Sequence, residues 1–121
     1  MNGEGENIQY VRIIYKTSEF QEFYDSLSAK IQLKFDYVMN VVSTIYNVPT
    51  KFIKHLENSE LYEMRVSIGS NEYRTILFAI DKDNIIEATS IILLNAFLKK
   101  DNKDYRRQID KATSILNKLE L

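Results

Sequence analysis

The chain has 121 residues, with 16 basic and 17 acidic side chains and no cysteine. That length holds one domain with a real core, and the lack of thiols rules out disulfides and thiolate zinc sites. The near-zero net charge argues against a protein that grips duplex DNA by bulk electrostatics.

Residues 1–7 (MNGEGEN) are polar and acidic, so they read as a disordered N-terminus rather than a signal peptide, leaving residues 8–121 as a single domain. Ile8 to Tyr15 (IQYVRIIY) is β-branched and aromatic and is expected to form a first strand. Thr17 or Ser18 then offers an N-cap, and Glu19 and Glu22 suit a helix N-terminus. Apolar residues recur at helical spacing from Phe20 through Ile45, so helix is expected over most of residues 19–47, with Ser26 and Ser28 as break points and Pro49 beyond its end. Phe52 to Leu56 reads as a brief helical turn. Two alternating runs, Leu61 to Ile68 and Glu72 to Ile80, flank Gly69-Ser70-Asn71 and predict a hairpin. Asp81 to Asn84 is a polar turn, and the stretch from there to Ser90 fits neither period clearly. Ile91 to Leu98 is apolar almost throughout, as in a strand covered on both faces. Asp104 can cap a last helix with Ile109, Ala112, Leu116 and Leu119 on one stripe. The expected class is α+β: a small antiparallel sheet with an N-terminal helix or helix pair and a C-terminal helix packed on it.

No glycine-rich phosphate loop exists, and the lone His55 has no second imidazole or thiol with which to hold a metal, so neither metal nor cofactor is expected. Cations gather near the strand ends instead. Arg65 lies on one hairpin strand and Arg74 on the other; Lys99 and Lys100 follow the apolar strand; Lys103, Arg106 and Arg107 come next, with Tyr105 among them. Fixed positive donors of this kind stabilise an anionic phosphate and its transition state. The plainer alternative is solvated surface charge, with Arg65 paired to Glu63 or Glu72.

At these residues the sequence resembles the RelE/ParE toxin superfamily, in its phage-derived, HigB-like branch. The resemblance rests on Leu61-Tyr62-Glu63-Met64-Arg65, on Tyr73-Arg74, on Leu93-Leu94-Asn95-Ala96-Phe97-Leu98-Lys99-Lys100, and on the helix beginning near Tyr105, in that order. It implies the toxin of a type II toxin–antitoxin pair, a ribosome-dependent mRNA endonuclease in which the ribose 2′-hydroxyl attacks the neighbouring phosphate without a metal. It also implies a cognate helix-turn-helix antitoxin as partner, mRNA on the ribosome as substrate, operator DNA bound only through the antitoxin complex, no membrane, and a cytoplasmic location. The carried-over catalytic set is Arg74, gripping the scissile phosphate, with Lys99 and Lys100 on the leaving oxygen or developing charge, and Tyr105 moving a proton. Arg65, Lys103, Arg106 and Arg107 would bind RNA. Two other readings stay open on the same fold: a ParE-like gyrase-inhibiting binder, and a non-catalytic protein-interaction module, which the near-neutral charge keeps open.

A geometric condition follows from strand alternation. A three-residue loop at Gly69–Asn71 would put Arg65 and Arg74 on opposite faces, whereas a four-residue connection or a bulge at Gly69 would bring them together. The longer connection is expected, because a phosphate site needs convergence. The nuclease reading further expects an electropositive hollow; guanidinium and ammonium groups dispersed, or locked into ion pairs with no cleft between them, would remove it and leave only the scaffold assignment.

Overall fold

The computed structural model describes residues 8–121; the expected disordered N-terminus, residues 1–7, lies outside them. The elements in chain order are β1 (Ile13–Lys16), α1 (Ser18–Asp25), α2 (Ala29–Thr44), β2 (Ile53–His55), β3 (Leu61–Ile68), β4 (Asn71–Ala79), β5 (Ser90–Leu98) and α3 (Asn102–Lys118). The strands form one sheet in the order β1-β5-β4-β3-β2. Helices α1 and α2 cover one face and α3 the other, so the molecule is α+β in three layers with a core on each side of the sheet.

The sheet is mixed rather than antiparallel throughout, since β1 runs parallel to β5, with Ile14 opposite Ile91 and Lys16 opposite Leu93. The chain leaves β1, traverses the helix pair and the hairpin, and returns in the same direction as β5. Thr17 fixes the first corner. Its hydroxyl donates to the Leu94 carbonyl at 2.5 Å and accepts the Phe20 amide at 3.0 Å, capping α1 against β5. The helical run breaks between Asp25 and Ala29, with Ser28 capping α2.

Three expected boundaries move. Of Ile8 to Tyr15, only the end is strand, because the Val11 and Arg12 amides both donate to the Ser43 carbonyl and tie that stretch to the end of α2. The expected turn at Phe52 to Leu56 is an edge strand, with Ile53 opposite Met64 and His55 opposite Tyr62; three residues are too few for alternation to be told from helical spacing. The cap of the last helix is Asp101, whose carboxylate accepts the Asp104 amide at 2.8 Å; Asp104 sits inside the first turn.

Arg12 ties β1, α2 and the loop before β5 together. Its buried guanidinium donates to five backbone carbonyls, those of Val42, Ile45 and Tyr46 at the end of α2 and of Ile85 and Ile86 in the loop, at 2.6–2.9 Å. Asp81 closes the other end of that loop, accepting the amides of Thr89 and Ser90 and the Thr89 hydroxyl. These bonds hold its Asp81 carboxyl below the ordinary carboxylate range.

The β3–β4 hairpin turns through Gly69 and Ser70 alone, with Ile68 opposite Asn71. Gly69 has φ of 59°, which suits glycine at the first position of a two-residue hairpin loop. The ladder between β4 and β5 shifts register at Ile76/Leu77, where Leu94 is an extra residue on β5.

Candidate functional site

The two-residue loop puts Arg65 directly opposite Arg74. The connection is shorter than the expected four residues, and it achieves the same parity: both arginines stand on the α3 face of the sheet. Strand alternation adds Glu63 on β3 and Glu72 on β4 to that face, while β5 contributes Phe97 opposite Arg74. Tyr105, in the first turn of α3, comes down from above with its ring 6.0 Å from that of Phe97.

The hub of this cluster is Glu63, only 2% exposed. Its carboxylate accepts the Arg65 Nε proton at 2.7 Å and the Tyr105 hydroxyl, and one of its oxygens lies 3.6 Å from Arg74 Nε. Arg74, 6% exposed, donates through Nη1 to Glu72 and to its neighbour Tyr73's carbonyl, both at 3.1 Å. Its Nε is buried with no hydrogen-bond partner among the described residues. Glu72 also accepts the Ser67 hydroxyl at 2.7 Å, and the Ser67 and Arg74 bonds hold its carboxyl below its ordinary value. Two like charges directly opposite on paired strands repel; here the two carboxylates offset them.

The arrangement therefore corrects one expectation. The two guanidinium groups converge, but they are ion-paired, and the space between them is filled by a carboxylate rather than left as a positive hollow. Grooves lie elsewhere: about 550 Å³ between α2 and the β3–β4 turn, about 530 Å³ beside β2 and the loop before β5, about 460 Å³ between β1 and α2, and about 360 Å³ on the outer side of α3.

Burial, followed by the hydrogen bond to Glu63, raises the Tyr105 phenol above its ordinary value, outweighing the opposing pull of Arg74 and Arg65. The side chain is therefore a neutral phenol at physiological pH, with its proton directed at Glu63 and its remaining lone pair available to another donor. The Lys99 ammonium stands 5.4 Å from the centre of the Tyr105 ring, a cation over an aromatic face.

The other candidates fall outside this cluster. Lys100 is exposed. Lys103, Arg106 and Arg107 lie on the solvent side of α3 and line the groove there; Arg107 pairs with Asp104 at 3.2 Å. His55 shares the opposite face of the sheet with Tyr62, its Nε2 2.7 Å from the Ser59 carbonyl. Among the described residues, no three His, Cys, Asp or Glu side chains are grouped to hold a metal ion. Glu63's position as hub was missed in the sequence; the available signal was an acidic residue on a buried strand two places before an arginine.

A family model for phage-derived Gp49-like proteins matches residues 22–117. The chain belongs to this family. Comparison with curated protein sequences gives no significant match. Among solved structures, this Gp49-like chain is similar to the free E. coli toxin RelE carrying two arginine-to-alanine substitutions, at 11% identity and a TM-score of 0.59 over 84% of this chain and 97% of that one. It is also similar to the crystal structure of the isolated E. coli RelE toxin, P21 form, at 10% identity and a TM-score of 0.52 over 83% of this chain and 97% of that one. The Gp49-like chain thus has the RelE fold. No helix among its described residues is long and apolar enough to cross a membrane.

Proposed function

We propose that this chain is the toxin of a type II toxin–antitoxin pair, working in the cytoplasm as a ribosome-dependent mRNA endonuclease, with a helix-turn-helix antitoxin as its partner. The observation that supports this reading is the meeting of Arg65, Arg74, Tyr105 and Lys99 on one face of a RelE fold, drawn from four separate elements or their ends. In the reaction, the bond from the ribose 2′-oxygen to phosphorus forms as the bond to the 5′-oxygen breaks. One proton leaves the nucleophile for a water molecule, and one passes from the Lys99 ammonium to the leaving oxygen. Arg74, with Arg65 beside it, binds the phosphate oxygens whose charge grows in the transition state. Tyr105 accepts a hydrogen bond from the 2′-hydroxyl through its free lone pair, holding the oxygen in line. Lys99 supplies the positive donor for the leaving oxygen.

The neutralisation of both arginines by Glu63 and Glu72 favours a second reading, a non-catalytic binding module on the same fold, of which a ParE-like gyrase inhibitor is one form. Induction in cells separates the two. The nuclease reading expects translation to fall first, and primer extension to show mRNA breaks with the wild type that are absent with Arg74→Ala. Early DNA damage, or identical breaks with both proteins, would remove the assignment.

A further inference from the structure

The unusual member of the cluster is a carboxylate placed where RNA chemistry would want a phosphate. Glu63 sits between two guanidinium groups held directly opposite each other, and it also takes the hydroxyl of the tyrosine above them. Each of its contacts is one that a phosphodiester oxygen could receive: an Nε–H of one arginine, the approach of a second arginine, and a phenolic O–H. Arg74 meanwhile keeps its buried Nε without a hydrogen bond among the described residues, so its donors are not used up by the protein. A purely structural buried guanidinium has its donors filled, as the five carbonyls around Arg12 fill those of that residue.

We infer that Glu63 is the resident anion of the Arg65–Arg74 pair, occupying in the free protein the place that a phosphodiester of single-stranded RNA takes on binding. This rests on the RNA-binding part of the reading above and adds to it an exchange of one anion for another. Without a resident negative charge, the opposed guanidinium groups would repel in the free protein. With it, the incoming phosphate must displace Arg65 Nε and the Tyr105 hydroxyl from Glu63, and the retained carboxylate then lies close to the bound phosphate. Glu63 is in this sense a positioning residue that sets the affinity of the site.

The charged groups facing the cluster from every packed element are Glu63 and Arg65 on β3, Glu72 and Arg74 on β4, Lys99 after β5, with Tyr105 on α3 the nearby titratable group. Removing one negative charge from this set strengthens anion binding. The test is fluorescence anisotropy of a labelled 2′-O-methyl RNA oligonucleotide, which binds without being cleaved, on the full chain and on Glu63→Gln. The expected result is about tenfold tighter binding by the variant, with a log–log salt dependence steeper by about 0.7. Equal or weaker binding by a variant whose circular dichroism is unchanged would overturn the inference, as would no binding by either protein. A second measurement uses the wild type alone. Nitrogen-15 spectra should show the Arg65 Nε–H resonance moving when the same oligonucleotide is added, and a resonance that stays put at saturation would also overturn it. Cleavage by the wild type is scored separately in a translation extract. Tighter binding by Glu63→Gln with no wild-type cleavage would leave the anion exchange standing and remove the nuclease.

Discussion

Arg12 and Arg74 are both buried guanidinium groups, 2% and 6% exposed, and they are held in opposite ways. Arg12 meets no carboxylate; five backbone carbonyls take its donors, three of them at the C-terminal end of α2, where the helix dipole favours a cation. Burial lowers its pKa from the ordinary arginine value. Arg74 meets two carboxylates and keeps an unfilled donor. A shell of main-chain oxygens cannot move without unfolding the segments that carry it, whereas carboxylate side chains can turn away. The first arrangement fixes a fold, and the second leaves room for exchange.

The largest effect that could break this contrast is at Arg12. Arg12→Ala should cost about 3–5 kcal/mol in urea unfolding, because the carbonyls at the end of α2 and in the loop before β5 lose their shared partner. Arg12→Lys should recover only part, having three donors for five acceptors. A loss under 1 kcal/mol would mean that the clamp holds little. Arg74→Ala should be milder, about 1–2 kcal/mol, since Glu63 keeps Arg65 and Tyr105, while removing growth inhibition on induction. If the two variants lost stability and toxicity in equal proportion, the division between structural and functional arginines would fail.

Smaller effects sharpen the picture through pH. The raised phenol of Tyr105 is protonated in the folded state where the unfolded phenol, near 10, has already ionised. Its contribution is therefore complete below about pH 10 and declines as pH rises further. Thermal melting should fall less steeply above pH 10 in Tyr105→Phe than in the wild type, with about 1 kcal/mol lost at pH 7. Tyr24, raised to about 12 by its hydrogen bond to Asp36, adds to the same alkaline decline. On the acid side the sign reverses. Glu72 has a lowered carboxyl, so its contribution is present above its unfolded value near 4 and is lost as pH falls below it. Glu72 is 43% exposed on its side chain, so Glu72→Gln should change stability at pH 7 by at most about 0.5 kcal/mol and flatten the melting curve below pH 4.

The long periodic elements were legible in the sequence because each has enough residues to display its period: α2, the β3–β4 hairpin and β5 stand close to where apolar spacing puts them. The parts that were not legible depend on partners far along the chain. Ile8 to Val11 is as β-prone as Ile13 to Tyr15, and only the Ser43 carbonyl decides that the sheet begins later. Arg12 within an apolar run carries no local sign that it points inward to carbonyls 30 and more residues away. At the site, the residue types could be read from the sequence, but their arrangement could not. Whether Arg65 faces Arg74 turns on one residue of loop length, and whether Glu63 reaches Tyr105 turns on how α3 lies across the sheet, 42 residues later.

The extra residue in β5 has a consequence for the pair of lysines that follows it. Ile91 and Leu93 belong to the layer shared with α1 and α2, and past the irregularity Ala96 belongs to it too, so the strand changes phase by one at Leu94. Strict alternation carried on from Leu93 would send Lys99 toward the helix pair and give Lys100 the place beside the phenol. A single out-of-step residue thus selects which of two identical neighbouring side chains meets Tyr105, and makes Lys99 and Lys100 unequal although their sequence contexts are nearly the same.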